Sequence, residues 1–199
     1  MKFQIPSIVL LSSALLAACS SSHQPSAHDI ATDIGDHDSH QVSELSTQQR
    51  FNGVLKAHNV VRIKHGLQPL TWSTKLAQYS QEWADNLCVS GSCKMEHRPG
   101  TPPHGENLYW ASALKWSTGE RAVQATTIKD VVKVWADEEK WYNYASNNCE
   151  AGQQCGHYTQ MVWKNTTKVG CAIKVAKDKS QSWVCSYDPP GNFTGQRPY

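Results

Sequence analysis

The chain has 199 residues, with 19 Lys and Arg against 17 Asp and Glu and a net charge of +2. Near-neutrality without any Lys/Arg cluster excludes nucleic acid as an expected partner. Past a short N-terminal leader and a polar linker about 150 residues remain, which is one domain's worth.

Residues 1–18 read as that leader. Lys2 gives a positive start, and Ile8 to Ala18 give an apolar run too short to span a membrane as a helix. The run ends Leu16-Ala17-Ala18-Cys19, which resembles a bacterial lipobox, where cleavage falls before the Cys and the Cys carries the lipid. The alternative is an ordinary signal peptide cut after Ala18 or nearby. A free N-terminal thiol in an oxidising compartment would be a liability, which favours a lipidated Cys19. Acyl chains anchor at ~0.8 kcal/mol per buried methylene, so several hold firmly to a membrane. Ser20, rather than Asp, after the Cys points by the usual bacterial sorting pattern to an outer membrane or cell surface. Residues 19–45, rich in Ser, His, Asp and Gln, cannot bury a core and read as a disordered linker. His23, His28, His37 and His40 lie in it, and fit a solvated tether better than a metal-scavenging tract.

Residues 46–199 form the expected domain. Ser46 can cap a first helix running to about His65, stopped by Gly66 and Pro69. Phe51, Val54, Leu55, His58 and Arg62 recur along it at helical spacing. Ser73 caps a second helix, striped by Leu76, Ala77, Ser80, Trp83, Ala84 and Leu87. Residues 89–118, rich in Gly, Pro, Ser and Thr, read as a long loop region holding short strands. A third helix is expected from about Thr127 to Tyr142, with Ile128, Val131, Val132, Trp135, Glu138 and Tyr142 on one face. A short helix follows over His157–Trp163. Alternation of Val169, Cys171, Ile173 and Val175, and of Trp183, Cys185 and Tyr187, predicts a closing hairpin.

There are seven cysteines, and setting Cys19 aside leaves six, an even count that suggests three disulfides in an exported domain. Proximity proposes Cys149–Cys155 around a Gly-bearing loop, Cys171–Cys185 on neighbouring strands, and Cys88–Cys93 around Val-Ser-Gly-Ser. No CxxC pair occurs, so a cysteine zinc site is not expected. Glu138 is the sharpest chemical clue. It sits on an apolar stripe, where a carboxylate must be hydrogen-bonded, paired or metal-linked. Its neighbour Glu139 is the other candidate for that inward position.

Four stretches carry a family resemblance, in order along the chain. They are His58-Asn59-Val60-Val61-Arg62, Gly105-Glu106-Asn107-Leu108, the run Gly156-His157-Tyr158-Thr159-Gln160-Met161-Val162-Trp163, and Cys185-Ser186-Tyr187-Asp188-Pro189-Pro190-Gly191-Asn192-Phe193. Together they resemble the CAP superfamily of cysteine-rich secretory, antigen 5 and plant pathogenesis-related-one proteins, over residues 46–199. The resemblance implies an α+β fold, a three-layer α-β-α sandwich with a small antiparallel sheet, braced by disulfides. Cys149–Cys155 and Cys171–Cys185 resemble family bridges. In the plant pattern a cysteine near Cys88 bonds to the final hairpin. Here Ile173–Ser182 holds none, so Cys88–Cys93 follows by elimination.

Glu138 matches the family's Trp-x-x-Glu-x-x-x-Tyr spacing. The resemblance implies that His97, Glu106, Glu138 and His157 line a central cleft, with Glu106 in a polar loop. Two neutral imidazoles with carboxylates suit a divalent cation such as zinc. A water on that ion, deprotonated by a glutamate, would be hydrolase geometry. Alternatively Glu106 and Glu138 bond backbone amides and brace the loops. No Gly-x-Ser-x-Gly or HExxH string is present. Asn59 and Arg62 are expected to brace the first helix, with His58 packed beside them and His65 at the helix's negative end. Tyr109, Trp110, Leu114 and Trp116 either line a groove for a lipid- or sterol-like ligand, as family analogy implies, or cover the domain's own core. The C-terminal Gln196-Arg197-Pro198-Tyr199 is expected to be packed down. The expected function is therefore an extracytoplasmic lipoprotein binding a small apolar ligand, with a divalent cation modulating the site. Two alternatives stand beside it. One is a metal-assisted peptide or ester hydrolase. The other is a structural cell-envelope protein that binds peptidoglycan or a partner protein.

Overall fold

A computed structural model describes residues 51–199. The leader, Cys19, the linker 19–45 and the Ser46 cap all lie outside the described residues. Among those described, no helix is long and apolar enough to cross a membrane.

Helix α1 covers Val54–Lys64. It does not run unbroken from Ser46, because Asn52 and Gly53 make a turn, with Gly53 at φ 88°. That left-handed conformation favours glycine. A Cβ there would also sit 2.8 Å from Lys129 Cε. Strand β1 (Thr71–Trp72) leads into helix α2 (Thr74–Leu87), whose first turn is capped by the Ser73 hydroxyl accepting from Leu76 N.

Strand β2 spans Gly105–Ala111, longer than the short strands expected within the 89–118 loop region, and it puts Glu106 on a strand rather than in a polar loop. Two small hairpins follow, β3–β4 (Leu114–Lys115 with Arg121–Ala122) and β5–β6 (Tyr142–Asn143 with Asn148–Cys149). Between them, helix α3 covers only Ile128–Ala136, opened by a capping box of Thr127 and Asp130. The chain then tightens into a 3-10 turn over Asp137–Trp141, so Glu138 is not on an α-helix as expected. Helix α4 is Gly156–Met161, and strands β7 (Lys168–Val175) and β8 (Gln181–Asp188) form the predicted hairpin.

The main sheet has the order β1-β7-β8-β2. It is antiparallel except at one edge, where β1 runs parallel to β7 with Thr71 opposite Lys168. That edge departs from the purely antiparallel expectation. It is tolerated because a long crossover through α2, β2 and α3 returns the chain to β7.

Helix α2 packs alone on one sheet face, and α1, α3 and α4 share the other. The larger core joins Val61, Val131, Trp135, Tyr158 and Met161 to Trp183, Cys185 and Tyr187. The smaller joins Ala84 and Leu87 to Leu108, Ala172 and Val184. Alternate residues of β8 therefore enter opposite cores, so the strand is buried on both faces. Helix α2 lies so close to β7 that a Cβ on Gly170 would sit 2.2 Å from Ala77 N. Truncating Trp135 or Trp183 to Ala would cost about 3–5 kcal/mol.

All three expected disulfides form, Cys88–Cys93, Cys149–Cys155 and Cys171–Cys185. Their loops are short, so each adds about 3 kcal/mol at most. The Cys88–Cys93 loop also holds the β7–β8 turn, through Cys93 N to Ser180 Oγ at 2.8 Å and Asp178 N to Gly91 O at 3.0 Å.

Candidate functional site

The first helix supplies the bracing that the sequence suggests. Arg62 is fully buried with no carboxylate partner among the described residues, and its guanidinium donates to four carbonyls, those of Gln68, Met161, Trp163 and Thr166. Burial lowers its pKa to about 10. Two of those carbonyls, Met161 and Trp163, belong to the end of α4 and the residues after it, so Arg62 fixes where α4 stops. Asn59 pairs its amide with both backbone groups of Leu70, at 3.1 and 2.7 Å. His58 bonds Val54 O through Nδ1 and Tyr187 Oη through Nε2, each at 2.9 Å. Burial pushes its pKa down to about 4.

The Gly-Glu-Asn run opening β2 then divides the labour of positioning. Gly105 makes room, since a Cβ there would sit 2.1 Å from Gln160 Oε1. Gln160 is itself a buried junction. Its Oε1 accepts from Gly191 N at 2.9 Å and its Nε2 donates to Thr166 Oγ1 at 3.2 Å. Glu106 accepts from His97 Nδ1 at 2.8 Å and from Arg98 N at 3.1 Å. Asn107 donates to His157 O at 3.0 Å and to Tyr187 Oη at 3.2 Å.

Glu138 is inward, as its stripe position suggests. One carboxylate oxygen meets His157 Nδ1 at 2.6 Å. The other accepts from the backbone N–H of His157 and Tyr158, at 3.0 and 3.1 Å. Glu138 therefore stitches the 3-10 turn to the first turn of α4, satisfying donors that a helix start leaves open. Trp135 stacks on the His157 ring at 5.8 Å, 17° from parallel, while its own Nε1 donates to Leu108 O.

Each glutamate thus fixes one histidine. A carboxylate only accepts, so the Nδ1 proton is assigned to each imidazole and Nε2 keeps its lone pair. No described residue hydrogen-bonds either Nε2. The hydrogen bond to Glu106 raises the pKa of His97 against the opposing effect of burial.

Successive strand residues face opposite ways, so Glu106 and Asn107 reach different partners, Glu106 the His97 ring and Asn107 the backbone carbonyl of His157. Among the described residues, no group of three or more His, Cys, Asp or Glu side chains is placed to hold a metal ion.

Tyr109 packs on the larger core, while Trp110 (40% exposed) donates Nε1 to Cys93 O. Leu114 on β3 is 44% exposed and Trp116, just past it, 50%. Tyr109 thus covers the core, while the other three are partly exposed. The tail is packed down, with Arg197 donating to Tyr144 O and Ala145 O, and Tyr199 stacked on His65 at 4.2 Å. His65 does more than end a helix, since its Nε2 also meets Tyr158 Oη at 2.9 Å.

Sequence reasoning left Arg98, Asn107 and Gln160 without roles. The Arg98 guanidinium lies 3.8 Å over the Tyr79 ring and 5.2 Å from the Trp83 ring, and its backbone N–H donates to Glu106. Asn107 and Gln160 stood inside the quoted motifs, and each is a buried amide joining elements distant in sequence.

Comparison with known proteins agrees with this geometry. Residues 55–187 match the family described as "CAP: Cysteine-rich secretory protein family". The chain is 43% identical over 149 residues to pathogenesis-related protein PR-1 of Medicago truncatula, covering 74% of this chain and 78% of that one. It is 44% identical over 147 residues to pathogenesis-related protein PRMS of Zea mays, covering 73% and 80%. Among solved structures, the venom allergen-like protein 4 of Schistosoma mansoni superposes with TM-score 0.55 at 25% identity, over 74% of this chain and 92% of that one. NaASP2, solved with Zn2+, superposes with TM-score 0.57 at 22% identity, over 76% and 85%. By sequence match and by fold, the chain belongs to the cysteine-rich secretory protein (CAP) family.

Proposed function

We propose that the protein is an exported binding protein in which His97 and His157 take a divalent cation. The observation that supports this is the arrangement of the imidazoles. Each is oriented by a carboxylate through Nδ1, and that carboxylate is itself held by backbone amides. This is how metal-binding histidines are prepared, with the carboxylate outside the coordination sphere raising ligand basicity. Glu106 and Glu138 are then orienting partners rather than ligands. Their commitment to backbone N–H groups favours binding over hydrolysis. Two protein ligands leave the remaining positions to water, so the site is weak and exchangeable.

Zinc is the probe of choice, being the ion named with the fold neighbour NaASP2. Calorimetry on residues 46–199 should give one zinc site at neutral pH, weakened about tenfold or more by His97→Ala or His157→Ala. Absence of zinc binding in the unsubstituted domain would leave the glutamates as braces only.

The exposed Trp110, Leu114 and Trp116 support the apolar-ligand reading, as a surface for a lipid- or sterol-like molecule. Three disulfides suit an oxidising compartment outside the cytoplasm. The lipid anchor belongs to the same proposal, although the relatives named above are plant proteins. Cys19→Ser should leave the chain unprocessed or released from membranes. Mass spectrometry showing an unlipidated mature chain that begins after Cys19 would remove the anchor.

A further inference from the structure

Lined by neither histidine pair, an open groove of about 310 Å3 lies between the β5–β6 hairpin, the start of α4 and the tail around Asn192–Pro198. That volume is at the lower end of the ~300–1,000 Å3 typical of small-molecule sites. Its chemistry is narrow. Tyr142, Trp163 and Phe193 supply aromatic rings, and Asn147, Asn192 and Gln196 supply amides. Among the described residues, no Asp, Glu, Lys, Arg or His lines it.

Those facts restrict the ligand. An ion would find no counter-charge. A wholly apolar molecule would strip water from the amides without replacing the lost hydrogen bonds. A neutral molecule with a C–H face and several hydroxyls loses nothing on either count.

The amides are also held ready. Asn192 accepts from Thr159 Oγ1 at 2.7 Å and donates to Gly156 O at 2.8 Å. Asn147 accepts from Tyr142 Oη at 2.7 Å and donates to Gln196 O at 3.0 Å. Each keeps a second N–H and a second lone pair for a ligand. Phe193 rests tilted against Trp163 with centroids 6.0 Å apart, yet remains 50% exposed. The Cys149–Cys155 disulfide lies in the wall and ties the hairpin to α4, so little ordering is left to be done on binding.

We propose that this groove binds a neutral saccharide, with the Phe193 ring against the C–H face of a sugar and Asn147, Asn192 and Gln196 taking its hydroxyls. The site is separate from the histidine pairs and does not depend on the cation reading.

The test is a titration of the disulfide-intact chain with three classes of probe, followed by calorimetry and by the Trp163 indole NMR signal. The probes are neutral trisaccharides (tri-N-acetylchitotriose and cellotriose), trigalacturonate as an anionic match, and a neutral tripeptide. At least one neutral trisaccharide should saturate the protein below about 10 mM and shift the Trp163 signal. Phe193→Ala should weaken that binding about fivefold, while His97→Ala leaves it unchanged. Gln196→Ala is the second variant, because its side chain makes no hydrogen bond to a described residue and its loss should leave folding intact. It too should weaken binding. The proposal is overturned if no neutral trisaccharide saturates, if trigalacturonate or the tripeptide binds as tightly, or if both variants bind like the unsubstituted protein.

Discussion

The two histidine–glutamate pairs use the same contact and place it in opposite surroundings. In the His157–Glu138 pair both side chains are nearly covered, at 15% and 13% exposure. Trp135 stacks on the ring, and two backbone amides hold the carboxylate. In the other pair Glu106 is buried at 8% exposure while His97 is 65% exposed, on a stretch with no regular structure. One pair is part of the packing, and the other reaches from the packing into solvent. A rigid imidazole fixes a position, and an exposed one can adjust to whatever arrives.

The sharpest way to break this comparison is to remove the carboxylates. Glu138→Ala should destabilise the domain by about 4 kcal/mol, since two helix-start amides and an imidazole lose their acceptor at a mostly covered site. Urea unfolding at neutral pH measures it. A loss no larger than that of Glu106→Ala would show that burial does not separate the pairs.

A third histidine sharpens the contrast by having no carboxylate at all. His58 is buried neutral with its pKa near 4, so below pH 6.5 the unfolded chain takes up a proton that the folded chain refuses. Stability should fall by about 3 kcal/mol as pH drops from 6.5 to 4, then stop falling on this account. His58→Gln should flatten that part of a pH series of denaturation midpoints. An unchanged slope would assign the acid sensitivity to other groups.

The smallest effect belongs to the exposed pair. Glu106→Ala should cost about 1 kcal/mol, mostly the lost bond to Arg98 N. His97→Ala should cost less, because an exposed ion pair is screened by water. The His97 contribution has the opposite sign of pH dependence to that of His58. With its folded pKa raised, it is fully present below pH 6.5 and is lost as pH rises through that higher value. Denaturation of His97→Ala beside the unsubstituted domain at pH 6 and pH 9 checks this, and the gap should close at pH 9.

Much of this was legible in the sequence, for local reasons. The Ser73 cap, the stripe of α2 and the β7–β8 alternation each depend on neighbours a few residues away, and each is found where expected. All three disulfides follow from short separations of 5, 6 and 14 residues. The resemblance named two histidines and two glutamates that the structure joins in pairs, and the inward stripe position of Glu138 gave an independent reason to look at one of them. What escaped was non-local. The full length of strand β2 escaped because its sheet partner β8 is remote in sequence, and Glu106 therefore read as a loop residue. Gly53 broke the first helix where periodicity alone carried it through. The groove draws on Tyr142, Asn147, Trp163 and Phe193, which share no motif and meet only after the tail folds back.

Strand β8 has a consequence for how the protein is made. It is the last strand in the chain, yet it lies inside the sheet, paired to β7 on one side and β2 on the other. During synthesis or export, residues 105–111 therefore wait for residues 181–188, some seventy positions behind them, before they gain a partner. Until then, the larger core lacks Trp183, Cys185 and Tyr187, and Cys171 has no thiol to pair with. The Cys88–Cys93 and Cys149–Cys155 bridges close small loops and need no such wait. The domain should thus emerge oxidised at two bridges and still open, closing late in one step as the final strand arrives.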